Sequence, residues 1–341
     1  MKNKLIYIGF SFQHHLNSHA GYSQIKYHLK YDQEIDVQSF YDKCIKEESN
    51  TVFNNLRCKI RRLLCWGYNA FPWYLFKCVW MALRFGYCTF HFIYPENTFK
   101  AIRLFHVRNC KVVLTLHQPY EWYASRPKWI KRLKTADCII VLSNTELSKL
   151  KELIHGIKII YLPHGISSDF YSPNNQIKED MVLTVGNWLR DFKFADVVYQ
   201  SLLEKRPNVK IVIVTHPANK KLITFNDNLT YLSGISDEEL RDLYRKTSCL
   251  FLPLIRYTAN NALLEAGSVG CPILIASNAA DNSYMPNDLI KILPMSFDEV
   301  TNQIVSITEN KENKKGLSDF VKSNYDWVKV AQMTKELLGE I

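Results

Sequence analysis

The strand-like run Met181–Val185 leads into Gly186-Asn187-Trp188-Leu189-Arg190-Asp191-Phe192-Lys193 and then into a helical pattern. A glycine turn at a helix start, with Arg190 and Lys193 beside it, has chemistry suited to a diphosphate. Backbone N–H groups and the helix dipole favour an anion, and the basic side chains neutralise its charge. A second loop, Arg256-Tyr257-Thr258-Ala259-Asn260-Asn261, follows the apolar run Cys249–Leu252 and precedes Ala262-Leu263-Leu264-Glu265-Ala266. Thr258 or Asn260 is placed to cap the helix that starts there and leave its first N–H groups for an anion. Glu265 falls about one turn in, where a carboxylate can grip two ribose hydroxyls; the alternative is a surface glutamate on an amphipathic helix. A third loop, Ser233-Gly234-Ile235-Ser236 before Asp237-Glu238-Glu239-Leu240, reads as a glycine turn and an N-capped acidic helix start. It suits contact with a nucleobase or folding alone.

The elements that carry these loops alternate twice over. Strand-like runs in the first half are Leu5–Phe10, Asp36–Phe40, Cys88–Tyr94, Lys111–Leu116, Cys138–Leu142 and Lys158–Leu162. Helical patterns lie between them at Tyr22–Lys30, Trp73–Phe85, Thr98–Val107, Pro127–Thr135 and Asn144–Ile154. The second half restarts with strands Met181–Val185, Val209–Val214, Leu229–Leu232, Cys249–Leu252 and Ile273–Ala276. Its helices are Phe192–Leu203, Asp237–Arg245, Asn260–Val269, Phe297–Glu309, Lys311–Lys322 and a final Tyr325–Glu340. Such alternation predicts an α/β protein with two parallel sheets covered by helices. The Pro-, Asn- and Ser-rich segment Ile166–Glu179 reads as the connection between them. The expected division is 1–170, 171–322 and a last helix at 323–341 returning to the first domain. Ligands of such folds bind at the carboxyl edge of the sheet, so the cleft lined by these loops is the expected site.

A length of 341 residues fits two domains, and 47% hydrophobic with 22% charged residues excludes a disordered or fibrous chain. The net charge of +10 is uneven: residues 1–170 hold 24 Lys and Arg against 12 acids, while 171–341 hold 19 against 21. Ser49 to Pro95 contains no acid at all, and its Arg57, Lys59, Arg61, Arg62, Lys77 and Arg84 are interleaved with aromatics. Two readings stay open for it. One is a helix–break–helix on an anionic membrane surface; the other is a helix over Trp73–Phe85 packed on a sheet, with Lys77 and Arg84 outside. The nine cysteines include no Cys-x-x-Cys pair and several lie in apolar runs, the pattern of reduced thiols. The start, Met1-Lys2-Asn3-Lys4 and a short apolar run, does not match a secretory signal, so a cytoplasmic location is expected.

Taken together, several segments resemble the retaining glycosyltransferases of family 4. Ala136-Asp137-Cys138-Ile139-Ile140-Val141-Leu142-Ser143 is similar to that family's ADxIIxxS strand. Leu162-Pro163-His164-Gly165-Ile166, continuing to Phe170 and Pro173, resembles its PNGVDxxxFxP linker. Gly234–Leu240 with Tyr244 and Pro253, then Leu264-Glu265-Ala266-Gly267-Ser268-Val269-Gly270-Cys271-Pro272-Ile273, follow in family order, as does Tyr325-Asp326-Trp327. The resemblance covers about residues 110–340. It implies the GT-B fold, two facing Rossmann-like domains, the first binding an acceptor and the second a nucleotide-sugar.

The resemblance also implies roles. Glu265 matches the second acid of a Glu-x7-Glu pair and would hold the ribose; the first position is Tyr257, a departure that puts donor-sugar recognition there in doubt. Backbone groups of Gly186, Asn187, Ala259, Asn260 and Asn261 would meet the phosphates. Arg190 and Lys193 resemble the basic pair on the diphosphate, although the family more often has Arg at the position of Asn187. His117, ending Lys111–Leu116, is similar to a histidine that points at the donor sugar; the alternative is a structural histidine. Gly21 stands where the family has its glycine-rich loop. The implied reaction is transfer of a sugar from a nucleotide-diphospho-sugar, UDP- or GDP-linked, to an acceptor hydroxyl with retained configuration. No Asp-x-Asp motif is found, so no metal and no further cofactor is expected. The acceptor expected from the basic first half is a glycan or lipid-linked glycan of bacterial surface polysaccharide. Alternatives are an epimerase or hydrolase of the same fold, a nucleic-acid-binding or modifying protein, and a two-domain binding protein. No nucleic-acid module is recognisable, so a nucleic-acid partner is not expected.

Overall fold

The computed structural model describes residues 3–10, 18–37, 71–98, 110–256, 259–279, 284–311 and 314–341, with backbone alone at 71–74. The sequence-predicted segments 38–70 and 99–109, together with Tyr257 and Thr258, lie outside the described residues. The inner apolar runs, such as Cys88–Phe92, Cys138–Val141 and Thr247–Pro253, form strands buried on both faces, and every strand pairing found is parallel. The first sheet contains β1 (Lys4–Gly9), β2 (Gln33–Asp36), β3 (Cys88–Phe92), β4 (Lys111–Leu116), β5 (Cys138–Val141) and β6 (Lys158–Tyr161), in the order β2-β1-β3-β4-β5-β6. The second contains β7 (Glu179–Val185), β8 (Lys210–Val214), β9 (Leu229–Leu232), β10 (Thr247–Pro253), β11 (Ile273–Ala276) and β12 (Lys291–Leu293), in the order β12-β11-β10-β7-β8-β9.

Helices of the first half are α1 (Ile25–His28), α2 (Phe71–Phe85), α3 (Pro95–Thr98), α4 (Tyr120–Ala124), α5 (Pro127–Leu133) and α6 (Asn144–Leu153). Those of the second are α7 (Phe192–Lys205), α8 (Asp237–Lys246), α9 (Asn261–Ser268), α10 (Phe297–Asn310), α11 (Lys315–Tyr325) and α12 (Trp327–Gly339). The two faces of the second sheet follow the period of two along its strands. Leu250 and Leu252 join Leu263, Leu264, Leu317 and Val321 in one core, while Cys249 and Phe251 join Val198, Leu202, Val300 and Ile304 in the other. Neither β12 nor α4 is expected from the sequence; both are short, and neither shows a full apolar period. The helix expected over Tyr22–Lys30 is a 3-10 turn, Tyr22–Gln24, followed by the single turn of α1. The six described cysteines, Cys78, Cys88, Cys110, Cys138, Cys249 and Cys271, are buried free thiols.

Two compact units result: Met1–His164 with Val328–Ile341, and Gly165–Trp327. The division falls at Gly165, earlier than the 170 expected, because Ile166 already pairs with the end of the second unit. Its N–H donates to the Tyr325 carbonyl at 2.8 Å, and the Trp327 N–H donates to the Ile166 carbonyl at 3.1 Å. The fully buried Trp327 ring stands against Gly165 beside this pairing. A Cβ on Gly165 would stand 2.2 Å from its ring, so no larger residue fits there. The last helix starts at Trp327, and residues from Val328 onward belong to the first unit.

One helix has an unusual outer side. Cys78, Met81 and Ala82 of α2 are buried, whereas Phe76 is 67%, Trp80 47% and Leu83 51% exposed, with Tyr87 just beyond at 40%. The spacing of these residues puts them on one stripe. The Arg84 guanidinium lies 5.1 Å from the Trp80 ring centroid. The helix therefore packs by one side, as one of the two sequence readings expects, and also presents aromatics on the other. Pro72 sits in its first turn, where a missing N–H is tolerated. Among the described residues no helix is long and apolar enough to cross a membrane.

Gly165→Ala is expected to destabilise the second unit by about 1–3 kcal/mol, the usual range for forcing a group into a packed site. Chemical denaturation followed by Trp fluorescence measures it, and an unchanged midpoint would refute the tight contact with Trp327.

Candidate active site

β7 is a central strand of the second sheet, and the chain leaves it at Gly186 with φ 108°, a backbone region that favours glycine. A Cβ there would stand 2.7 Å from Nη2 of Arg190, so glycine lets the backbone pass directly over the guanidinium. The loop turns back through Leu189, which takes the left-handed φ of 58°. It is pinned to the end of β10 by Asp191 N–H on the Pro253 carbonyl (2.9 Å) and Ile255 N–H on the Leu189 carbonyl (3.0 Å). Arg190 donates from Nε to the Val185 carbonyl (3.1 Å), from Nη1 to the Trp188 carbonyl (3.0 Å) and from Nη2 to Asn260 Oδ1 (3.2 Å). All three acceptors are neutral. Among the described residues no carboxylate pairs with this guanidinium, and burial pushes its pKa down to about 10.

Asn260 joins the two loops. It is the N-cap of α9, its Oδ1 accepting from Leu263 N–H (3.4 Å) as well as from Arg190. Its Nδ2 is buried without a partner. The first-turn N–H groups of Asn261 and Ala262 have no intrahelical acceptor, as at any helix start. Glu265 lies one turn further in and is buried, which removes the surface alternative. Its Oε2 accepts from the Tyr244 hydroxyl at 2.9 Å. Burial is the main cause that lifts the carboxyl to about 7, opposed by that hydrogen bond. The buried Tyr171 hydroxyl lies near enough to favour the ionised form, yet its geometry makes no hydrogen bond.

Of the other residues expected in this loop set, Lys193 and Asn187 are exposed. Lys193 stands in the first turn of α7, which Asp191 caps through Phe194 N–H (2.9 Å), and it makes no ion pair among the described residues. Asn187 accepts from Asn219 Nδ2 at 2.6 Å, and Asn219 also reaches Thr215. Ala259 is half-buried ahead of the cap. The Gly234 loop leads into a reciprocal capping box, Ser236 with Glu239, so its pattern serves folding.

In the first unit His117 follows β4. Its Nε2 lies 2.6 Å from the Ile93 carbonyl, which can only accept, so Nε2 carries the hydrogen. Burial, with His164 nearby, lowers its pKa to about 3, and the ring packs on Tyr94 at 4.3 Å. The imidazole is therefore neutral. Gly21, at φ 86°, precedes the 3-10 turn that places Tyr22. Tyr22 N–H donates to the Tyr94 hydroxyl (2.9 Å), and its ring meets those of His117 and His164 edge-on at 5.3 Å each. Gly21 and His117 thus belong to one aromatic cluster.

Glu96 was missed by the sequence reading. Its Oε1 accepts from His117 N–H (2.8 Å), Gln118 N–H (3.3 Å) and the Tyr123 hydroxyl. The signal was present: Pro95-Glu96 stands directly past the carboxyl end of β3, the same edge that singled out His117.

No family model matches the chain, and no curated protein matches its sequence. Solved structures do match its fold. Sucrose-phosphate synthase from Thermosynechococcus elongatus aligns over 99% of this chain and 99% of its own with a TM-score of 0.72 at 13% identity. A glycosyltransferase from Rickettsia africae aligns over 100% and 99%, TM-score 0.68, also at 13% identity. HepE from Anabaena, in complex with UDP and glucose, aligns over 99% and 100%, TM-score 0.66, at 12% identity. The chain has the GT-B fold of these glycosyltransferases.

Glu265→Gln should reveal the buried acid. A carboxyl whose folded pKa exceeds its unfolded value of 4.5 supports folding below that value and loses the contribution as pH rises through about 7. The variant is therefore expected to gain stability over the wild type between pH 5 and pH 8, by about 3 kcal/mol at most. Unfolding midpoints across that range measure it; a pH-independent difference would overturn the assignment.

Proposed function

We propose that this chain is a retaining glycosyltransferase that moves a sugar from a nucleoside-diphosphate donor, UDP- or GDP-linked, to an acceptor hydroxyl. The observation that carries the reading is the half-buried Arg190 guanidinium, without a counter-ion among the described residues and hydrogen-bonded to the cap of a helix whose next turn holds buried Glu265. A partly desolvated cation beside a helix N-terminus favours a bound anion. A carboxylate four residues into the same helix is placed for the ribose of a nucleotide. That HepE, of the same fold, is in complex with UDP and glucose supports a nucleotide as the ligand.

In this reading Arg190, Lys193, the Asn260 amide and the first N–H groups of α9 neutralise charge on the departing diphosphate. Such preorganised donors act where charge develops and are often the largest catalytic contribution. They do so here in place of a metal ion. Glu265 must be ionised to accept two ribose hydroxyls, so its pKa of about 7 ties donor affinity to pH. The acceptor attacks on the face from which the diphosphate leaves, and a diphosphate oxygen takes the acceptor proton. No carboxylate base is needed. Tyr257 stands where the resembling family has the first acid of its pair, so grip on the sugar hydroxyls falls to other groups.

Thermal-shift measurements with UDP, GDP, ADP and CMP test the donor site. One diphosphate at about 100 times its Kd should add about 2.7 kcal/mol of stability. Arg190→Met and Glu265→Ala should abolish that gain. No stabilisation by any of the four would sink the proposal.

The acceptor we propose is a lipid-linked glycan of bacterial surface polysaccharide, met by a peripheral protein at the cytoplasmic face of the membrane. The support is α2, whose outer stripe of Phe76, Trp80 and Leu83 is exposed beside Arg84, within a 47-residue run from Ser49 to Pro95 that has no acid. Aromatics at headgroup depth and basic residues toward anionic lipid are the two parts of an interfacial helix. Flotation with phosphatidylglycerol vesicles at low salt should carry the wild-type protein upward. Phe76→Ser with Trp80→Ser should cut the bound fraction about tenfold; equal flotation of variant and wild type would refute α2 as the contact.

A further inference from the structure

The donor reading leaves the carboxyl edge of the first sheet without a ligand, and one cluster there has hydrogen-bonding capacity unused. Oε1 of Glu96 is fully engaged by His117 N–H, Gln118 N–H and the Tyr123 hydroxyl. Those three donors fix the carboxylate on α3 against the end of β4. Its second oxygen, Oε2, is buried and has no hydrogen-bond partner among the described residues. Oε1 of the Gln118 side chain is also buried without a partner. Gln118 also donates its backbone N–H toward the Tyr123 hydroxyl at 3.4 Å, so both orphan oxygens belong to one network.

Two acceptors without donors ask for one kind of ligand. Leaving each unpaired in a buried place costs about 1–3 kcal/mol, which a ligand that supplies O–H groups recovers. An anion would be repelled by a carboxylate, and an apolar group would leave both oxygens unsatisfied. A polyhydroxylated ring supplies adjacent O–H donors, and the half-buried His117 ring, tilted against buried Tyr94 at 4.3 Å, lies beside this network. Burial raises the Glu96 carboxyl, and its hydrogen bonds oppose that rise.

We propose that Glu96 and Gln118 form a hydroxyl-recognition subsite for a sugar, the acceptor glycan. As an acceptor subsite this rests on the reading of the chain as a glycosyltransferase. Glu96 is a binding residue here: it accepts a hydroxyl hydrogen and takes no part in bond breaking. Gln118 Oε1 accepts from a second hydroxyl of the same ring.

The test uses the full chain and four defined probes at millimolar concentration: methyl α-D-glucopyranoside, methyl α-D-galactopyranoside, methyl α-D-mannopyranoside and N-acetylglucosamine. Saturation-transfer NMR reads sugar binding, and thermal shift reads nucleotide binding in the same samples. At least one sugar should bind wild type, and Glu96→Gln and Gln118→Leu should each weaken it about tenfold. The nucleoside-diphosphate shift should stay unchanged in both variants. A wild-type chain that binds a nucleotide but none of the sugars overturns the subsite, as does sugar binding that survives both substitutions. Sugar binding that depends on Glu96 without any nucleotide shift upholds the subsite and overturns the donor reading instead. If Glu96→Gln does not fold, Gln118→Leu decides.

Discussion

A guanidinium partly withdrawn from water, with no carboxylate beside it among the described residues, is the constraint around which the edge of the second sheet is built. Burying a charge without a partner is costly, and a protein that tolerates it must hold the group by other means. Here three neutral oxygens do so, from Val185, Trp188 and Asn260. Each demands something of the sequence. The Val185 carbonyl is within reach only because Gly186 carries no Cβ, and the Trp188 carbonyl only because Leu189 accepts a left-handed turn. The Asn260 oxygen is present because the residue that caps α9 is an amide and not a serine or threonine hydroxyl. An aspartate there would neutralise the guanidinium and cap the helix equally well, but it would cancel the positive field. Asparagine keeps the cap and leaves the charge unspent.

The polarity of the two sheet edges is opposite. In the second unit the groups left for a ligand are donors: the Arg190 charge, which neutral oxygens alone hold, the buried Nδ2 of Asn260 and the first N–H groups of α9. In the first unit they are acceptors, Oε2 of Glu96 and Oε1 of Gln118, next to a histidine that burial keeps neutral. A donor-rich edge suits phosphate and an acceptor-rich edge suits hydroxyls. The net charges of the halves run the other way, with the first strongly basic. That basicity therefore does not describe the first unit's carboxyl edge; part of it lies on the outer side of α2, where Arg84 is exposed beside Trp80.

The parallel sheets were legible because continuous apolar runs such as Val112–Leu116 and Leu250–Pro253 have no other common home than a strand covered on both faces. Glycine and the N-cap marked the loops of the second unit, since turn and cap chemistry is local in sequence. What stayed hidden depends on contacts distant in the chain. Glu96 becomes notable only when β3 and β4 lie side by side, bringing residue 96 to the N–H groups of 117 and 118. The burial of Glu265 needs Tyr244 from another helix. The early start of the second unit depends on Ile166 pairing with Asp326, about half the chain away. Strand β12 is set by its neighbour β11, because Lys291-Ile292-Leu293 alone is too short to show a period.

The departure at Asn187 has a physical explanation of the same long-range kind. The family that the sequence resembles more often places arginine directly after the glycine, and this chain has an amide there, exposed and held by Asn219. Its arginine comes three positions later. The left-handed turn at Leu189 reverses the backbone, and the guanidinium returns beneath Gly186, within 3.1 Å of the Val185 carbonyl. A cation thus reaches the start of the loop by folding back. What a diphosphate would meet is the place of the charge, and the position of the arginine in the chain is one of two ways to put it there. The route taken here also explains why glycine at 186 serves two purposes: it turns the chain and leaves room for the side chain that the turn brings back.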